Sequence, residues 1–179
     1  MRIPVWMAAL LAGLLLGCGY QALSVDLWAP AAEGDTAAIE RYIEAGADLN
    51  AKEPAGGSTP LIIAAIFGQT EAARLLIENG AEVDIKNNDG TTALSAAAFF
   101  CHPETLKLLI ENGANVNTTS STGSTPLDTA TAPWDSEIQG FYQMIGQIYE
   151  IPIDMERIQN TRDEIAEILR QNGGELSRS

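Results

Sequence analysis

Apolar and polar positions along residues 58–131 recur on a 33-residue beat. The heptapeptide LLIENGA stands at 75–81 and again at 108–114, and Thr59-Pro60-Leu61, Thr92-Ala93-Leu94 and Thr125-Pro126-Leu127 mark the same phase. Ala64, Ala97 and Ala130 keep the spacing, as do Gly80 and Gly113; Gly46 and Gly34 fall one position out of phase with Gly80 and Gly68, a slip that a single extra residue in loop 51–58 explains. Each period predicts two short helices. The threonine-led turn opens the first, whose small residues (Ala64 and Ala65, then Ala96, Ala97 and Ala98) let a neighbour approach closely. The second, Glu71–Asn79 or Glu104–Asn112, carries Leu and Ile at helical spacing and stops at Asn-Gly, where glycine tolerates a left-handed cap. A polar loop then leads to the next unit. A unit this small cannot bury its apolar face alone, so the pattern predicts an all-α stack of repeats.

Those residues resemble the ankyrin repeat: the TPL opening, the Ala-Ala inner helix, the Leu-Leu outer helix and the NGA ending are all legible. The resemblance implies a solenoid of about four helix-turn-helix repeats over 26–179, with repeats near 26–57, 58–90, 91–123 and 124–176 and caps at both ends. Repeat four opens at 124–131 and resumes at 161–176. Gly113 and Gly173 stand almost two periods apart where one would separate them, so most of an extra period is inserted within 132–160. Ser136 to Glu150 in that insertion fits an amphipathic helix, bracketed by Pro133 and Pro152. Cys101 replaces the family's inter-helix glycine, and His102 falls where the family often has a histidine that helps cap the outer helix.

Residues 1–17 do not belong to that pattern. Arg2 precedes an apolar run from Val5 to Leu16, too short for a bilayer-spanning helix, which needs about 20 residues, so an export signal fits better than a permanent span. Leu15-Leu16-Gly17-Cys18 resembles the bacterial lipobox, which implies cleavage before Cys18 and acylation of that residue. Residues 18–25 would then be a short tether reaching at most about 27 Å. The expected location is the cell membrane or outer membrane, facing the periplasm or exterior.

Composition narrows the partners. The chain has 24 acidic against 10 basic residues, and losing Arg2 with residues 1–17 takes the formal charge from −14 to −15. Nucleic acid and anionic lipid surfaces are therefore disfavoured as direct ligands, and a basic protein surface would be attracted. Cys101 is the one cysteine beyond Cys18 and reads as a buried thiol. No catalytic residue, metal site or cofactor is assigned: His102 is the sole histidine, Asp84–Gly90 lacks the ligand alternation of a calcium loop and reads as a finger turn, and Asp163, Glu164 and Glu167 read as a solvated helix face.

The resemblance implies that the concave face, made of finger loops and inner helices, holds another protein. On this phase Ile66, Phe67, Phe99 and Phe100 occupy outward positions before the inter-helix turn, with Asn88, Asp89, Ser121 and Thr122 on the fingers beneath them. Exposed contiguous apolar surface marks a contact site. The aromatic insertion, which contains Trp134, Phe141, Tyr142 and Met144, either folds over this ridge, leaves it open, or forms one wall of a groove. The functional expectation is an envelope binding module, as scaffold or as inhibitor of a toxin or enzyme; the alternative is a docking factor that stabilises a periplasmic enzyme. Cys18→Ser is expected to abolish labelling by palmitate and to release the protein from the membrane fraction; retention in that fraction would overturn the lipid anchor.

Overall fold

Threonine starts each of the middle and last inner helices. The Oγ1 atoms of Thr59, Thr92 and Thr125 accept from the amides of Ile62, Ser95 and Asp128 at 3.2–3.3 Å, satisfying donors that a helix start leaves unpaired. The computed structural model describes residues 26–148 and 153–177. The signal segment, Cys18 and the tether lie outside the described residues, as does the end of the expected insertion helix at Tyr149 and Glu150.

Among the described residues there are nine helices and no strand: α1 (Trp28–Glu33), α2 (Thr36–Glu44), α3 (Pro60–Ile66), α4 (Thr70–Glu78), α5 (Ala93–Phe99), α6 (Pro103–Glu111), α7 (Pro126–Thr131), α8 (Ser136–Ile148) and α9 (Met155–Gln171). Inner helices α1, α3, α5 and α7 stack in one row, and outer helices α2, α4, α6 and α9 in a second. Alanine explains the close inner row: Ala31, Ala64, Ala65 and Ala97 are fully buried. Ile39, Leu76, Leu109 and Leu169 fill the layer between the rows, one per repeat, each with 0% exposure.

Two features differ from the sequence expectation. The last outer helix begins at Met155, not at Thr161, because Asp154 caps it through the Arg157 amide (2.9 Å) and Ile158, 1% exposed, carries the apolar stripe one turn further back. The inserted material is therefore α8 with its flanking loops. The fingers also lie at the N-terminal ends of the inner helices, whereas the aromatic positions lie at the C-terminal ends. About 10 Å of helix separates the two rows, at roughly 1.5 Å of rise per residue along a helix such as α5.

Hydrogen bonds repeat with the period. Asn50, Asp84 and Asn117 accept through their Oδ1 atoms from the amides of Glu82 (2.9 Å), Asn115 (3.0 Å) and Glu175 (2.7 Å) in the following unit. Finger tips are stitched by backbone bonds from Asn88 to Gly56 and from Ser121 to Asp89, both 2.9 Å. Lys52 and Lys86 each donate to a carbonyl of the next finger, Lys86 O (2.7 Å) and Thr119 O (2.9 Å).

Candidate functional site

The C-terminal ends of the inner helices are the most chemically varied part of the molecule. Each presents a carbonyl at the same place in the repeat, Ala32, Ile66, Phe99 and Ala132. Each carbonyl accepts from a side chain beyond its own helix. Gln69 Nε2 donates to Ala32 O (2.9 Å), His102 Nε2 to Ile66 O (3.0 Å), Tyr142 Oη to Phe99 O (2.6 Å) and Arg162 Nη2 to Ala132 O. Four different groups meet one geometric demand.

His102 therefore has a different job from the one expected. It occupies the N-cap position of α6 but makes no side-chain bond to that helix; its ring reaches back to the preceding repeat. Gly68 permits this, because a Cβ there would lie 2.4 Å from His102 Nδ1. Burial, and then the Arg157 guanidinium, lower its pKa from the ordinary 6.5, so the ring is neutral and its Nε2–H donates.

The insertion covers the ridge at repeat three. Tyr142, fully buried, stacks on Phe99 with centroids 4.5 Å apart at 24°, and Phe99 meets Phe100 and Phe141 edge-on at 4.9 and 5.7 Å. Trp134 also packs on Tyr142, tilted, with centroids 5.8 Å apart. Phe100 is only 9% exposed and Phe99 is half-buried, so the expectation that both face solvent is corrected. The physical reason is area. Burying a tyrosine removes roughly 200 Å² from water, up to about 5 kcal/mol, and α8 is the nearest amphipathic surface able to do it. Ile66 and Phe67, one repeat away, are half-buried.

Beside the ridge, apolar exposure has moved onto the insertion itself; Leu176, near the C-terminal end of the described residues, is exposed as well. Phe141 and Met144 are 43% and 46% exposed, one turn apart on the outer side of α8. Sequence reasoning placed both residues in an aromatic stretch without giving them a side; the signal was their i, i+3 spacing around Tyr142, which only one face of a helix can bury. Asn88, Asp89, Ser121 and Thr122 are exposed on the finger row, as expected.

Cys101 holds a left-handed conformation (φ 56°), where Gly34 and Gly68 occupy the corresponding turns. For a non-glycine residue this costs roughly 1–2 kcal/mol. Arg157 clamps the turn, donating from Nη1 to Cys101 O (2.6 Å) and from Nη2 to Phe100 O (3.1 Å). Bonds from a charged donor contribute about 1.5–3 kcal/mol each, discounted for solvent here, so the pair offsets the strain. Burial pushes the Cys101 thiol up to about 11, and its sulfur faces the Ala98 and Phe99 carbonyls, so it is a packing group. In the Asp84–Gly90 finger, Asn87 Oδ1 accepts from the amides of Asp89 (3.0 Å) and Thr91 (2.9 Å), so that oxygen is occupied by the turn.

Tyr142→Phe is expected to lower stability by about 1–2 kcal/mol, through the stranded Phe99 carbonyl, and to lower Tm by roughly 2–8 °C; an unchanged urea midpoint would show that the ring alone matters. The depressed His102 pKa makes its contribution complete above the unfolded value near 6.5 and lost as pH falls from there towards the folded value. His102→Gln, the residue type already used at Gln69, is expected to keep the rung and flatten stability across the pH interval just below 6.5. An identical pH slope in both proteins would contradict this.

Residues 27–120, just over half of the chain, match the family described as ankyrin repeats (three copies). Ankyrin repeat-containing protein P1E11.10 of Schizosaccharomyces pombe (strain 972 / ATCC 24843) is 28% identical over 65 residues, which are 36% of this chain and 31% of that protein. The chain thus covers about a third of that relative, and α7, α8 and α9 lie beyond the family match.

Proposed function

Because the chain belongs to the ankyrin-repeat family, whose repeats form protein-interaction modules, we propose that it is a non-catalytic binding protein held at the bacterial envelope by a lipid on Cys18. Its partner is a protein with a basic, partly apolar surface, which it restrains as a scaffold or an inhibitor. Phe141 and Met144, projecting from the insertion helix, carry this reading: large apolar side chains kept in water have a use in contact. Ile66, Phe67 and the open part of Phe99 extend that surface along the inner helices, and Asn88, Asp89, Ser121 and Thr122 supply a separate polar row on the fingers. A net charge of −14 supports a basic partner, since it raises encounter rates with positive surfaces and repels a second copy of the same chain.

A short tether behind Cys18 would keep this surface close to the membrane, which favours a partner in the same envelope layer. The test is a photo-crosslinking amino acid placed at position 141 or 144 in cells, beside a control at Arg74, whose side chain is 44% exposed on outer helix α4. A discrete adduct with one protein from 141 and 144, absent from 74, is expected. Equal adducts from all three positions, or none from any, would remove the assignment.

A further inference from the structure

Arg162 is 5% exposed and charged, and among the described residues no carboxylate lies within ion-pairing distance of it. A buried charge without a counter-charge is costly, so the contacts that Arg162 does make matter. Its Nη2 donates to Ala132 O, the same guanidinium lies beside the Tyr142 hydroxyl, and its central carbon sits 5.4 Å from the Trp134 ring centroid, a cation–π contact. No fully buried side-chain nitrogen or oxygen among the described residues lacks a partner. The guanidinium N–H groups that no protein acceptor takes are therefore the ones that solvent reaches, and they open on a cleft.

That cleft has a volume of about 560 Å³ and lies between the end of α7, the insertion and α9. Trp134 forms an apolar wall, Gln159 and Asn160 supply amides, and Arg170 adds a second cation two turns beyond Arg162. Asp163 lines the same cleft, exposed and beyond ion-pairing distance of either arginine. Two guanidiniums with free donors select an anion of planar, forked geometry, and the Asp163 charge disfavours a dianion. The indole wall favours a flat or apolar group next to the charge.

We propose that this cleft is a binding site for a singly charged carboxylate attached to an aromatic or apolar group, with Arg162 as its principal partner and Arg170 as a second. The site lies at the end of the solenoid and is independent of the contact surface on α8. Such a carboxylate has two sources, a small free acid or the C-terminus of a polypeptide, and both present the same chemistry.

The experiment titrates the full chain, by calorimetry and tryptophan fluorescence, with benzoate, neutral benzamide, inorganic phosphate, and the peptide Gly-Gly-Phe as free acid and as C-terminal amide. Benzoate is expected to bind with Kd on the order of 1 mM, and benzamide and phosphate at least about tenfold more weakly. Trp134→Phe should remove the fluorescence response. Arg162→Gln strands the Ala132 carbonyl and is expected to destabilise the fold, so Arg170→Gln, an exposed position with unchanged Tm, is the variant that reads binding; it should weaken benzoate several-fold. A free-acid peptide tighter than benzoate identifies a chain terminus as the source, and benzoate as tight or tighter identifies a small acid. Equal affinity for benzoate and benzamide, no effect of Arg170→Gln, or no binding by about 10 mM would each overturn the proposal.

Discussion

A helix of six or seven residues leaves its last four carbonyls without partners inside the helix, which is most of the carbonyls it has. Everything at one edge of this solenoid follows from finding donors for them. At Ala32 and Ile66 the donor arrives with the next repeat, as Gln69 and His102. At Phe99 the insertion intervenes before the next outer helix, and it is the insertion that supplies the donor, Tyr142. At Ala132, where no further repeat stacks among the described residues, Arg162 turns back from the outer helix of the same unit. The insertion is thus part of the ladder.

That placement decides the surface. Seating the Tyr142 hydroxyl on the Phe99 carbonyl presses its ring against Phe99 and fixes the rotation of α8, so Met144 on the opposite side points outward and Phe141 lies at the edge of the contact. Phe141 touches Phe99 only by its edge, and both Phe141 and Met144 keep nearly half their area in water. The exposure of this apolar pair is in this sense a by-product of capping a helix. Arg157 completes the same unit by holding the Cys101 turn, which lets a residue with a side chain occupy a site that glycine fills in two earlier repeats.

Charge is distributed by the same repetition. Lys52 and Lys86 are tied into carbonyls of neighbouring fingers, and Lys107 bridges Glu104 and Glu164 on the outer helices at 2.8 and 3.4 Å. Such exposed pairs add little stability. Their effect is to bind up cations in a chain with few, while Arg162 and Arg170 line one cleft at the end of the stack.

Period, most helix spans, the Asn-Gly stops and the alanine-lined inner row were legible in residue order alone, because they depend on contacts within a unit or between identical neighbours. Thr59, Thr92 and Thr125 announce their helices through bonds to residues three positions later, and the Asn-Gly stops do so through one backbone conformation. The amphipathic helix of the insertion was legible too. Its destination was not: whether Tyr142 or Phe141 turns inward depends on a carbonyl 43 residues away, and Phe99 becomes half-buried only once that bond is made. The same holds for Arg157 and Arg162, whose acceptors lie 56 and 30 residues distant. Sequence by itself determined the repeat and its local geometry. Tertiary structure decided which side chains serve as donors between units and which are left to face water, since hydrogen bonds across an insertion follow no period.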